Sequence, residues 1–234
     1  MTGDLVLIPR GDAHVLADSP SPAGATPFDD AVDNPAGTTD FLCGKYRVDT
    51  ARAHPLLSGL PEVVHLPTAD GQNPTLRTTI DLLGAEVAAQ RPGHGSAVRA
   101  LLDLLLVHAL RAWLDADPAS GWHRALTDPP TAAALSALHA DPGAPWRLPD
   151  LAARVGLSRA TLARRFAAST GRSPMAYLAW WRLATAAHLL RDSDLPMRAI
   201  ARQVGYTSSY AFSTAFKRQY GQAPTHYRAD ALSG

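Results

Sequence analysis

Two stretches of this chain share one pattern. Gly205–Pro224 reads GYTSSYAFSTAFKRQYGQAP, and Gly156–Pro174 reads GLSRATLARRFAASTGRSP. At an offset of 49, Leu151 matches Ile200, Ala152 matches Ala201, Val155 matches Val204, Gly156 matches Gly205, Leu157 matches Tyr206 and Ser158 matches Thr207. Past one inserted residue the offset is 50. Phe166 then matches Phe216, Gly171 matches Gly221, Pro174 matches Pro224 and Tyr177 matches Tyr227. A self-match at a fixed offset means one supersecondary unit used twice.

The unit reads as a short helix, a Gly-centred turn and a second helix. Gly156 supplies a backbone conformation that a side chain resists. Ala152 is small where two helix axes approach. Ser158 is the expected N-cap, Gly171 the expected helix stop, and Ser173-Pro174 the start of the next helix. Leu162 and Phe166, spaced i,i+4, point to a small core, which turns Ala160 and Arg164 to the opposite face at 100° per residue. Arg159 and Arg165 lie on the flanks. In the second unit Phe212 and Phe216 point inward; Tyr210 and Thr214 face out, with Ser209, Ser213 and Lys217 nearby. Two outward helix faces carrying Arg, Lys and hydroxyls suit the major groove of DNA.

Charge supports this division. The chain has 234 residues and a net charge of +1. Residues 1–140 hold 9 Lys and Arg against 16 Asp and Glu, while residues 141–234 hold 13 against 5. The balances are −7 and +8, an asymmetry expected where one end meets a polyanion. The lone cysteine, Cys43, allows no intrachain disulfide and no cysteine zinc cluster. No leader-like n-region and h-region opens the chain. The most apolar run, LLDLLLVHALRAWL at 101–114, is interrupted by Asp103, His108 and Arg111, so no membrane span is expected. A cytoplasmic location follows as an expectation.

Upstream, residues 4–17 predict two short strands around a Pro-Arg-Gly turn, and 18–40 a long loop. FLCGKYRV (41–48) and EVVHLP (62–67) are further strand candidates. Helices are predicted over 75–90, 96–115 and 128–140. On the second of these, Arg99 with Asp103 and Arg111 with Asp115 are spaced to interact. The rest of its circumference is apolar, so it needs cover, from its own domain or from a partner subunit.

The stretch SRATLARRFAASTGRSPMAYLAWWRLATAAHLL, with AIARQVGYTSSYAFSTAFKRQYGQAPTHYR, resembles the DNA-binding domain of AraC/XylS-type transcription regulators over residues 128–228. The resemblance implies two helix-turn-helix units joined by one long helix, about Pro174–Arg191, with both recognition helices entering successive major grooves. It carries base-reading positions to Ala160, Ala163 and Arg164 and to Ser209, Tyr210, Ser213 and Thr214. Two of the first three are alanine, and Thr214 stands where an arginine is common. Arg164 is therefore the one candidate for bidentate guanine recognition. Arg159, Arg165, Lys217 and Arg218 are the phosphate candidates. Double-stranded DNA and RNA polymerase are the implied partners.

GDLVLIPRGDAH resembles the second cupin motif through Gly3, Pro9, Gly11 and His14. FLCGKYRVD with HPLLSGLPEVVHLP resembles the cupin-type sensor domain of an AraC subgroup, some members of which respond to reactive chlorine species. The motif opens at residue 3 and the first cupin motif is absent, so a shortened or incomplete barrel is expected, with exposed strand edges, low stability and a tendency to associate. His14 lacks the companions a metal site needs, and a partly buried strand histidine is its expected role. Cys43, with Lys45 nearby, is a candidate redox sensor. His54, His65, His94, His108 and His123 show no ligand spacing, and Trp180-Trp181 reads as helix core. No catalytic residue and no cofactor is identified.

The expected architecture is α+β: a partial cupin-like β-barrel plus helices, then an all-α domain with two helix-turn-helix units. Its parts are a sensor region at 1–70, a helical dimerisation or linker region at 71–120 and the DNA-binding domain at 128–230. The expected function is sequence-specific transcriptional control, answering an effector or oxidant signal, with a homodimer among the expected partners. Two rivals are a cupin metalloenzyme with a structural helical tail and a non-specific DNA-binding protein.

Overall fold

The computed structural model describes residues 3–15, 41–46, 54–68 and 71–232. In chain order these form β1 (Leu5–Leu7), α1 (Pro55–Ser58), β2 (Val64–Leu66), α2 (Pro74–Ala89), α3 (His94–Ala116), α4 (Gly121–Thr127), α5 (Pro129–Ala140), α6 (Leu148–Arg154), α7 (Arg159–Thr170), α8 (Pro174–Asp192), α9 (Met197–Gln203), α10 (Ser209–Tyr220) and α11 (Pro224–Leu232). The chain divides into two compact units. One is Met1–Arg47 with Leu60–Trp113; the other is Val48–Gly59 with Leu114–Gly234.

In the first unit β1 and β2 pair antiparallel, Leu5 opposite Leu66 and Leu7 opposite Val64. Alternation puts Val64 and Leu66 inward and leaves His65 out. The Asp4 carboxylate accepts from the Thr68 N–H at 3.2 Å and meets His65 Nε2 at 3.1 Å. The hydrogen bond to His65, then the one from Thr68, holds Asp4 below its usual pKa. Leu76, Thr79 and Leu83 form the buried stripe of α2. Thr79 Oγ1 lies 2.9 Å from His108 Nδ1 and ties α2 to α3.

Several sequence expectations fail here. Among the described residues the barrel reduces to a two-stranded ribbon. Residues 11–15 and 41–46 are not strand, and the ladder that would bury them is absent there. His14 is accordingly exposed, with Nδ1 2.9 Å from the Asp12 carbonyl, rather than a half-buried strand residue. The 18–40 loop, and positions 16–17 and 47–48 of the two strand candidates, lie outside the described residues. Of the two covers expected for α3, its own domain does not reach Leu104 and Val107, each 42% exposed. Arg99, Asp103, Arg111 and Asp115 are exposed and form no ion pair among the described residues, whereas Arg77 and Asp81 on α2 do pair at i,i+4 spacing, at 3.0 Å.

Among its described residues the second unit is all helical. Asp128 caps α5 by accepting from Thr131 N at 3.3 Å, with Pro129 in the first turn. Helix α8 runs through the unit as its spine. Tyr177, Leu178, Trp180 and Leu183 are buried on it, and Ala186, Ala187 and Leu190 follow further along. The latter group, with Ile200, Val204, Phe212, Phe216 and Tyr227, forms one core.

Candidate nucleic-acid interface

The two repeats fold alike down to single hydrogen bonds. Gly156 and Gly205 turn the chain at φ 69° and 82°, the left-handed region where a Cβ is strained. Just past each glycine the backbone reaches back to the first helix: Leu157 N–H donates to Ala152 O at 2.9 Å, and Tyr206 N–H to Ala201 O at 2.8 Å. Ser158 Oγ then accepts from Thr161 N, and Ser208 Oγ from Ala211 N. The second cap is Ser208 rather than Thr207, so the inserted residue lies inside the turn, before the cap. Leu162 and Phe166 on α7, and Phe212 and Phe216 on α10, are fully buried. Phe166 meets Tyr177 edge-on at 5.6 Å, and Phe216 meets Tyr227 edge-on at 5.1 Å.

With those faces inward, α7 exposes Arg159, Ala160, Arg164 and Arg165, and leaves Ala163 half-buried. On α10, Ser209, Tyr210, Thr214, Lys217 and Arg218 are exposed and Ser213 is half-buried. Tyr210 is 82% exposed, an unusual state for a phenol ring with no ligand to cover it. Arg165 differs from the other cations: Nη1 lies 3.4 Å from Asp128 Oδ1.

A cupin family model matches residues 1–115 and a helix-turn-helix domain model matches residues 151–230. An AraC-like transcription regulator of Streptomyces lividans is 36% identical over 236 residues, covering 97% of this chain and 78% of its own. The HTH-type transcriptional regulator AlkR of Acinetobacter baylyi is 36% identical over 245 residues, covering 97% and 79%. The chain belongs to the AraC-like transcription regulators. Among solved structures, a transcriptional regulator with an AraC-type DNA-binding domain from Chromobacterium violaceum is similar at 29% identity and TM-score 0.44, covering 46% of this chain and 96% of that one.

In this AraC-like regulator the structure also assembles groups that spacing does not reveal. A groove of about 490 Å³ opens beside the start of α10, lined by Arg198, Arg202, Tyr206, Thr207 and Ser209 among others. Arg198 and Arg202 project from α9, and only their place in the basic half hinted at them. A second cluster centres on the Tyr177 hydroxyl, which lies 2.9 Å from His54 Nε2 and 2.8 Å from His139 Nε2. His54 Nδ1 accepts from the Leu56 N–H at 3.1 Å and caps α1. That bond puts the proton of neutral His54 on Nε2, donating to the phenol oxygen, and leaves the phenol to donate to His139 Nε2. Burial, then the positive potential from His139 and Arg172, lowers the His54 pKa to about 4. Burial lowers His139 and raises Tyr177. Residues 54, 139 and 177 are too far apart in the chain for spacing to signal this.

Cys43 and Lys45 are exposed. Among the described residues no group of three His, Cys, Asp or Glu side chains is placed to hold a metal ion, and no helix is long and apolar enough to cross a membrane.

Proposed function

We propose that this AraC-like regulator binds double-stranded DNA by laying α7 and α10 in successive major grooves. One observation carries the reading: the same hydrogen-bonded turn and a fully buried i,i+4 apolar pair, Leu162 with Phe166 and Phe212 with Phe216, occur twice, each with an exposed face in the basic half of the chain. Arg164 is the guanine reader of the first unit. Ala160 and Ala163 offer apolar contact to a thymine methyl. Ser209, Tyr210, Ser213 and Thr214 read through hydroxyls and an aromatic ring. Arg159, Lys217 and Arg218 contact phosphate, joined by Arg198 and Arg202. Arg165 contributes less because Asp128 holds it.

Selection of duplexes from a randomised pool by the full chain tests this reading. It expects a consensus of two short segments about one helical turn apart. A steep salt dependence without any sequence preference would replace it with non-specific binding. Truncating each true phosphate contact lowers the salt slope by about 0.9.

The N-terminal region acts as the sensor that alters how DNA-binding domains are presented to RNA polymerase. Exposure of Cys43 makes it the entry point for an oxidant. Mild oxidant is expected to change DNA affinity in the wild type and not in Cys43→Ser; no change in the wild type removes the role. A second copy covers the exposed Leu104–Val107 side of α3, and sedimentation of the full chain and of Val107→Glu tests that dimer.

A further inference from the structure

Arg182, on the helix that joins the two repeats, bonds the backbone of the loop before α6 and lies against the turn of the second repeat. Its Nε donates to Pro142 O at 2.7 Å and its Nη2 to Ala144 O at 2.8 Å. A Cβ placed on Gly205 would lie 2.8 Å from the Arg182 guanidinium and 2.9 Å from Gly143 O. A Cβ placed on Gly143 would lie 2.5 Å from Gln203 O. The loop before α6 and the turn of the second repeat therefore touch backbone to backbone, through two glycines, beside one guanidinium.

The loop is itself braced. Asp141 Oδ1 accepts from Ala144 N at 3.0 Å, and the Trp146 indole donates to Asp141 O at 2.8 Å. Arg154, in the last turn of α6, lies 5.9 Å from the Trp146 ring centre. A continuous set of contacts runs from α6 of the first repeat through Trp146, the braced loop and Arg182 to Gly205 of the second. Two helix-turn-helix units joined by a helix alone would still flex where each packs on it; this bridge closes the ring on a second side.

We infer that Arg182, with the Gly143–Gly205 contact, is a positioning device that fixes α10 against α7, so that the protein accepts only one spacing between its two DNA segments. The inference rests on the two-groove reading above. Arg suits the role because its planar fork reaches two carbonyls at once, which a lysine ammonium does not reproduce. One inserted base pair moves a segment about 3.4 Å along the duplex and about a tenth of a turn around it.

The test uses the full chain and the consensus duplex that it selects from a randomised pool, then the same duplex with one base pair added or removed between the segments. The wild type is expected to lose about tenfold or more in affinity on either change, the cost of about one misread base pair. Arg182→Ala and Gly143→Ala are expected to lose less than about threefold on the same change, whatever their affinity for the consensus, and Arg182→Lys to fall between. If Arg182→Ala does not fold, Gly143→Ala decides, since it leaves the guanidinium in place. An unchanged spacing penalty in the folded variants overturns the inference while the two-segment consensus stands. A pool that yields no two-segment consensus overturns the two-groove reading and the positioning role with it.

Discussion

In the first repeat Gly156 turns the chain and α7 exposes Ala160 and Arg164, with Ala163 half-buried; in the second, Gly205 turns it and α10 exposes the Tyr210 phenol and the Ser209 and Thr214 hydroxyls. The interiors hardly differ: Leu162 with Phe166 and Phe212 with Phe216 are each fully buried, and each terminal Phe meets a Tyr edge-on. A helix surface is free to diverge once its buried stripe, cap and stop are kept, because those alone set the backbone. The repeat thus keeps one scaffold and varies the chemistry it exposes, guanidinium on one helix face and phenol and hydroxyl on the other.

The sharpest way to break this comparison is in the cores. Phe166→Ala and Phe216→Ala are each expected to cost about 3–5 kcal/mol. Urea unfolding of the full chain measures both, and clearly unequal costs would mean that the interiors are not equivalent.

Acid should separate the repeats next. Tyr177, behind Phe166, shares its hydroxyl with His54 and His139; the rings packed on Tyr227, behind Phe216, are Phe216 and Tyr220. Both histidines have lowered pKa values when folded, so the unfolded chain binds more protons at acid pH. Their stabilisation is complete above the ordinary value of 6.5 and is lost as the pH falls towards about 4. The cause is geometric: a proton on His54 Nδ1 opposes the Leu56 N–H, and one on His139 Nε2 opposes the phenol proton. For His54 the loss is about 3 kcal/mol at most. Hydrogen exchange at pH 7 and pH 5 is expected to show weaker protection around α5 and the start of α8 at the lower pH, with the second repeat unaffected. His54→Gln should remove most of that difference.

Recognition gives a smaller contrast. Arg164→Ala is expected to cost about 1–3 kcal/mol of DNA affinity and to relax specificity at one base position, while Thr214→Ala costs less. Equal loss on all sequences would make Arg164 a phosphate contact. Smallest are the caps: Ser158→Ala and Ser208→Ala are each expected to lower stability by about 1 kcal/mol, and Thr207→Ala to leave it unchanged, by thermal unfolding.

The C-terminal repeat was legible in the sequence because every device that builds it is local. Ser caps, left-handed Gly stops, Pro at a helix start and an i,i+4 apolar stripe act within a few residues, so α7, α8 and α10 appear as the pattern predicts. The slip from Thr207 to Ser208 shows the limit: both are good caps, and the offset alone did not say on which side of them the extra residue fell. The first unit was less legible, because a strand depends on partners distant in the chain, and FLCGKYRV lacks a paired ladder over 41–46 despite its β-prone residues. Helix α4 is not legible in the sequence because seven residues carry little periodicity, although Trp122 and Ala125 are buried on it.

By itself, then, the order of residues determined that a capped, glycine-turned helix pair occurs twice, which helix faces are apolar, and that the positive charge gathers around it. Tertiary structure alone decided that His54 and His139 share the Tyr177 hydroxyl, that Asp128 holds Arg165, and that Arg182 sits over Gly205 beside Gly143. Hydrogen bonds and backbone approaches between residues so far apart in the chain, up to 123 positions for His54 and Tyr177, leave no periodic trace, since they depend on how packed helices bring their surfaces together.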